Sequence, residues 1–89
     1  MDNNEEINLY SENLKKIRNV LNLSVKSEVP LRSVGYAWNS DDFQYASAKQ
    51  GTEFEMTINV IEGENNKLNI AIVDMLNKKT ISKMRNLKF

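Results

Sequence analysis

The most constraining feature of the sequence is the regular alternation of apolar and polar residues from Thr52 to Val60. Successive side chains of a β-strand point to opposite faces, so this pattern predicts a strand with one buried and one solvated face. Phe54, Met56 and Ile58 occupy the buried face. A chain with this strand must form a sheet and must also supply a second layer to cover its apolar side.

Three further segments alternate with the same period and predict more strands. The segments before and after residues 39–42 flank a run of turn-forming residues, which indicates a hairpin with a four-residue loop. A polar turn at residues 62–66 precedes a last alternation that carries Leu68, Ile70 and Ile72. We expect an antiparallel meander with strands at about residues 31–38, 43–49, 52–61 and 67–75.

The N-terminal segment has a helical spacing instead. The apolar residues that recur at intervals of three and four are Ile7, Tyr10, Leu14, Ile17 and Leu21. Such a stripe is typical of one face of an amphipathic helix, and Asp2 and Glu5 have the spacing of a capping box. The sequence therefore predicts a helix over about residues 4–23, packed on the meander, in a single two-layer α+β domain spanning residues 1–89.

The C-terminal segment allows two interpretations. Thr80 is suited to cap a short helix over residues 80–87, in which apolar residues recur at every third position. Alternatively, a turn at residues 77–79 leads into a fifth strand of the sheet. Lys83 and Arg85 interrupt the alternation, so we favour the helix and keep the strand as the alternative.

The composition excludes several classes of function. The chain has no Cys and no His, which removes disulfides, thiolate metal sites and histidine-based catalysis. The three glycines are scattered and form no phosphate-binding loop. Twelve basic and twelve acidic residues balance, and no apolar run approaches the ~18 residues of a membrane span. We expect a cytoplasmic protein without catalysis, metal or cofactor, and without a membrane partner.

Four of the seven aromatic residues lie within ten positions of the predicted hairpin. If residues 39–42 form the loop, Trp38 lies opposite Phe43 and Tyr36 lies opposite Tyr45, so all four share one face. Because large aromatic side chains dominate core energetics, the plainer interpretation places them in the core. The alternative is an exposed binding platform backed by small residues on the other face.

The predicted strand 67–75 is apolar on both faces. Ala71, Val73 and Met75 project opposite to the residues that face the core. One helix covers only one face of a sheet, so this second face requires either a partner or self-association. We therefore expect an interface there, formed most simply as a two-fold homodimer.

A basic C-terminal tail supports a different hypothesis. Its basic residues are Lys78, Lys79, Lys83, Arg85 and Lys88. Basic residues beside aromatic side chains are typical of single-stranded nucleic-acid binding, although an ordinary solvated terminus is the simpler explanation. The acidic turns at residues 41–42 and 62–66 lack the alternating ligand spacing of a calcium loop, so no metal is expected.

These features favour a non-catalytic protein-binding module, such as a small inhibitor, immunity or accessory protein. Frequent Asn, Lys and Ile, whose codons are AT-rich, indicate an AT-rich bacterium, a phage or a mobile element as the source. The expected partner is another protein, with homo-oligomerisation as a further expectation. The alternatives are a single-stranded nucleic-acid-binding protein and an oligomeric protein that binds a small ligand between subunits.

Overall fold

Two antiparallel sheets pack against each other around one apolar core. A computed structural model describes residues 9–82 and 84–88, in which eight strands and no helix are present. The strands are β1 Tyr10–Ile17, β2 Val20–Ser27, β3 Leu31–Trp38, β4 Gln44–Ser47, β5 Glu53–Asn59, β6 Asn66–Asp74, β7 Lys79–Ile81 and β8 Arg85–Leu87. The small sheet has the order β1-β2-β5, and the large sheet has the order β4-β3-β6, with β7 and β8 on the outer edge of β6.

The α+β class predicted from the sequence is therefore wrong. The predicted helix over residues 4–23 is replaced, within the described residues, by the hairpin β1–β2, while residues 1–8 lie outside them. The apolar residues at positions 10 and 14 are four apart, a spacing that also places them on one face of a strand. Leu21, Leu23 and Val25 alternate with polar residues and are buried.

The hairpin turn has little sequence signature. Arg18 and Asn19 join the two strands, and Arg18 has a φ of 59°. A positive φ at the first of two loop residues is typical of a type II′ turn, where glycine is usual. Because arginine replaces that glycine, residues 18–19 carry no obvious turn signal.

The predicted meander is also wrong, although β3 to β6 begin and end within two residues of the predicted strands. The chain passes from one sheet to the other after β2, after β4 and after β5. As a result, β5 pairs with β2 and β6 pairs with β3. The second layer predicted to cover the alternating strand is thus another sheet. The buried residues that meet between the layers are Leu21, Leu23, Val25 and Ile58 from the small sheet, and Leu31, Val34, Trp38, Leu68, Ile70 and Ile72 from the large sheet.

The hairpin β3–β4 differs from its predicted register by one residue. Tyr45 pairs with Gly35, and Gln44 pairs with Tyr36. Asn39 adopts a φ of 57° and bonds β6 instead of its own hairpin: its side-chain Oδ1 accepts from the Lys67 N–H at 3.0 Å. Since side chains alternate along a strand, this shift moves Tyr45 to the opposite face from Tyr36.

The C-terminal helix that we favoured is absent from the described part of the tail, and the strand alternative is correct in kind. β7 and β8 pair with successive parts of one edge of β6, with Ala71 opposite Ile81 and Leu68 opposite Arg85. The register with β6 shifts by one residue between these two pairings. The segment that joins β7 to β8 therefore contains one residue more than a continuous strand would. Two short strands with an irregular junction explain why no continuous alternation was visible.

An ion pair closes one open side of the sandwich. Glu12 on the edge strand β1 and Arg85 on β8 both point inward, and Arg85 Nη2 lies 2.8 Å from Glu12 Oε1, outside hydrogen-bond angles. The side chain of Glu12 is 11% exposed and that of Arg85 is 35% exposed. This contact ties the edge of the small sheet to the C-terminal edge of the large sheet.

Candidate interaction surface

The outer face of the large sheet, which points away from the small sheet, has a row of four aligned residues. They are Tyr45 on β4, Gly35 on β3, Ala71 on β6 and Ile81 on β7. Large side chains thus occupy the two edge strands, while the two central strands have small residues. We call this row, with the adjacent Phe43, Val73 and Lys79, the Tyr45 surface.

The ring of Tyr45 lies across the middle of this face. A Cβ atom placed on Gly35 would lie 2.6 Å from Tyr45 Cδ1, so the ring occupies the space that a side chain would need. Lys79 reaches over from β7 and places its Nζ 5.7 Å from the centre of the Tyr45 ring. The ring therefore lies between the backbone of Gly35 and the ammonium group of Lys79, which restricts its rotamers.

Apolar area remains exposed on the Tyr45 surface. Tyr45 is 45% exposed and Ile81 is 48% exposed, while Ala71 between them is fully buried. Phe43 is half-buried, with its ring centre 5.9 Å from that of Tyr45 and the ring planes tilted by 34°. This arrangement presents a broad apolar area whose shape is set by strand backbone.

The structure divides the aromatic residues nominated from the sequence between two faces. Trp38 is buried in the core and Tyr36 is half-buried against it, whereas Phe43 and Tyr45 lie on the outer face. The core interpretation therefore holds for Trp38 and in part for Tyr36, and the alternative platform of four aromatic side chains is reduced to Phe43 and Tyr45. The one-residue register shift of β3–β4 is the cause of this division.

The second set of interface residues predicted from the sequence lies along β6 and just after it. Val73 is half-buried on the outer face, and Ala71 forms part of the floor under the larger side chains. Met75 lies beyond the end of β6, where its carbonyl accepts from Arg32 Nη2 at 3.1 Å. Gly35 and Ile81 were not nominated. The alternation of β7 and the pairing of a glycine with a tyrosine are the signals that identify them.

The basic residues nominated for nucleic-acid binding do not form one patch. Arg85 points inward to Glu12, and Lys83 lies outside the described residues. Lys78 follows one end of β6 and Lys88 follows the strand paired with its other end. Eight steps along β6 at ~3.3 Å each separate these ends by about 26 Å. Lys79 is the nominated base that contacts an exposed aromatic ring.

The remaining surface offers little for a metal or a small ligand. The described residues contain no group of three or more Asp or Glu side chains placed to hold an ion. A depression of about 440 Å³ is lined by Lys16, Asn19, Asn59, Val60 and Glu62, and another of about 430 Å³ lies on the outer face of the small sheet. Both are open and mainly polar, whereas small-molecule sites are concave and mostly apolar.

No family model, characterised protein or solved structure is detectably similar to this chain. The part of the chain that the structure describes contains no helix long and apolar enough to cross a bilayer.

Proposed function

We propose that this chain is a non-catalytic protein-binding module whose partner docks on the Tyr45 surface. The observation that carries the proposal is the contrast between the two outer faces. The outer face of the small sheet consists largely of Ser, Asn, Thr, Lys and Glu side chains. The outer face of the large sheet instead exposes Tyr45 and Ile81 on either side of a small-residue floor.

The chemistry of this surface resembles that of protein interfaces. Aromatic residues are enriched in interfaces, and anchors with few rotatable bonds lose little entropy when they bind. Tyr45 is such an anchor, because its ring is already positioned by Gly35 and Lys79. A partner that buries it therefore does not have to order it.

The surroundings of the Tyr45 surface indicate the kind of partner. Arg32, Lys49, Lys78 and Lys79 lie at the end of the large sheet where β6 turns into β7. Asp74, the acid at the end of β6, is buried and bonded within the turn. A partner with an apolar centre and an acidic rim complements this surface, since complementary charge speeds encounter and sets orientation.

The narrower parts of the proposal concern biological role. An inhibitor, immunity or accessory protein of a phage or mobile element, acting in the cytoplasm, requires a rigid binding surface and no catalytic machinery. The Tyr45 surface supports the first of these requirements, because Gly35 and Lys79 position its tyrosine ring.

Partner capture with matched variants tests the proposal. The bait Tyr45→Lys/Ile81→Lys adds two charges to the Tyr45 surface, and the control bait Asn13→Lys/Thr57→Lys adds two to the polar face of the small sheet. We expect native and control baits to retain the same protein from a nuclease-treated lysate of the source organism, and the first variant to lose it. Thermal melts establish that all three baits are folded.

Two results would contradict the proposal. Equal capture by both variants would remove the Tyr45 surface as the docking site. Loss of all captured material after nuclease treatment would favour the nucleic-acid alternative, in which Lys79 and Tyr45 contact the backbone and a base.

A further inference from the structure

The turn between β6 and β7 has an unusual combination of a tightly held backbone and an exposed apolar tip. Oδ1 of Asp74 accepts from the N–H groups of Leu76 and Lys78, both at 2.9 Å. Asn77 adopts a φ of 67°, in the left-handed region. At the tip, the side chain of Leu76 is 90% exposed, more than any other large apolar side chain described.

The sequence of this turn also fits a strand. Leu68, Ile70 and Ile72 mark the inward face of β6 at every second position, and Leu76 continues the same parity. If residues 75–78 were extended, Leu76 would fall on the face of β6 that is buried. Asp74 occupies the inward position between Ile72 and Leu76, so the apolar pattern of β6 breaks at one position and resumes in the turn.

The elements after the turn pair with β6 over short lengths. β7 and β8 have three residues each, and an extra residue separates their pairings with β6. Two buried side-chain atoms of this segment, Ser82 Oγ and Arg85 Nη1, have no hydrogen-bond partner among the described residues. Unmade hydrogen bonds reduce what is lost when the segment leaves β6.

We propose that β7 and β8 exchange between two copies of this chain, forming a dimer in which residues 75–78 become an extended hinge. The occupant of the β6 edge is then the same segment from a second copy, which makes the same register pairs. The inference goes beyond the proposed partner binding and does not depend on it. Each lobe of the dimer retains a complete Tyr45 surface, with Lys79 and Ile81 supplied by the other chain.

The balance between monomer and dimer rests on the hinge. The contacts of β7 and β8 are identical in both forms, so they do not favour either one. The closed hinge is held by the hydrogen bonds of Asp74 with Leu76 and Lys78, but it requires the left-handed Asn77 and exposes Leu76. The open hinge loses those hydrogen bonds, releases both constraints and lets two Leu76 side chains pack together. Short hinges under strain favour this kind of exchange.

Paired cysteines distinguish exchange from simple docking, because the native chain has no cysteine. Val73 is opposite Lys79 on β7. Asp74 and Ile70 make backbone hydrogen bonds across the same edge, so the alternation of an antiparallel ladder leaves Val73 and Lys79 facing each other without a hydrogen bond between them. The two Cα atoms there are ~4.5 Å apart, which suits a disulfide. Val73→Cys/Lys79→Cys therefore links β7 to whichever β6 it is paired with.

The full-length variant is refolded at high concentration, separated by size, oxidised and run on a denaturing gel without reductant. We expect a dimer fraction whose chains are joined covalently, beside a monomer fraction with an internal disulfide. A dimer fraction that yields only single chains on the gel would overturn the exchange, because the copies would be docked face to face. A chain that stays monomeric at every concentration would overturn it as well.

Hinge variants supply a second measurement that needs no cysteine. Asn77→Gly removes the left-handed strain and Asn77→Val increases it, so the two should shift the dimer dissociation constant in opposite directions, each by about tenfold or more. Gln50→Gly, at a left-handed residue of another turn, is the matched control and should leave the constant unchanged. Equal constants for all three variants by sedimentation would refute the role of the hinge.

Discussion

The contact between Tyr45 and Gly35 makes a quantitative prediction about a single added methyl group. In Gly35→Ala, the new Cβ would lie 2.6 Å from Tyr45 Cδ1 and 3.0 Å from the Gln44 carbonyl oxygen. Carbon atoms pack best at ~3.5–4.0 Å, so the ring must move by about 1 Å. Overpacking of this kind costs about 1–3 kcal/mol, while replacing glycine returns up to ~1 kcal/mol through the unfolded state. We expect a net loss of about 1–2 kcal/mol.

A double-mutant cycle isolates the part of this loss that comes from the ring. In a Tyr45→Ala background the Cδ1 contact is gone, so Gly35→Ala should cost less than about 0.5 kcal/mol, leaving a coupling of about 1 kcal/mol or more. Gly51→Ala is the control, because its Cβ would be 3.3 Å from the nearest atom and away from Tyr45.

Urea melts monitored by the fluorescence of Trp38, the only tryptophan, give the four free energies of unfolding. The cycle requires similar m-values across the variants, since a changed m-value reports a changed denatured state. An equal cost of Gly35→Ala with and without the tyrosine ring would show that Tyr45 does not lie over Gly35. The described geometry of the Tyr45 surface would then be refuted.

Three further predictions use the same melts. Leu23→Ala should lower the free energy of unfolding by about 3 kcal/mol and Ile17→Ala by less than about 1 kcal/mol, because Leu23 is fully buried and Ile17 is 43% exposed. Similar losses for both would contradict the hairpin β1–β2 and favour an N-terminal helix. Glu12→Ala should cost about 1–2 kcal/mol, because it leaves the half-buried charge of Arg85 without its partner, and adding Arg85→Leu should recover most of that loss. No recovery would mean that the pair is not coupled. Asn39→Ala should cost ~1 kcal/mol more than Asn39→Gly, because only alanine resists a positive φ.

The parts of the fold that the sequence predicts correctly are those in which one period dominates. β5 alternates over its whole length, and β6 is bounded by a polar turn, so both strands were located within two residues. Their buried faces, represented by Ile58 and Ile70, were also assigned correctly. In both strands the local alternation and the tertiary environment agree, although β5 lies at the edge of its sheet and β6 at the centre of the other.

The N-terminal error has a specific physical origin. A spacing of four residues is shared by one face of a helix and one face of a strand, so Tyr10 and Leu14 fit both. Ile17 completed the helical stripe, although it lies on the exposed face at the end of β1. The alternation of Leu21 and Leu23 was the contrary signal, and it was outweighed because no turn-forming pair precedes it.

The candidate surface was only partly predictable for a related reason. Val73 was nominated because β6 is apolar on both faces, and the structure does place it on the outer face. The position of Tyr45 depends on a register that differs from the simplest hairpin by one residue, because Asn39 bonds Lys67 on β6. Tertiary bonds of this kind leave no trace in the periodicity of a segment, so faces are harder to predict than strands.

The crossing of consecutive strands between sheets determines when the domain can fold during synthesis. Leu23 pairs with Met56 and Val34 pairs with Ile72, so the centre of each sheet joins segments more than 30 residues apart. At ~5–20 residues per second, the apolar face of β2 emerges from the ribosome roughly 2–7 s before β5 emerges. Nascent chains that end before Asn66 lack β6, one of the two central strands of the large sheet. Such chains expose the apolar face of the first hairpin, so premature termination yields an aggregation-prone product instead of a smaller folded domain.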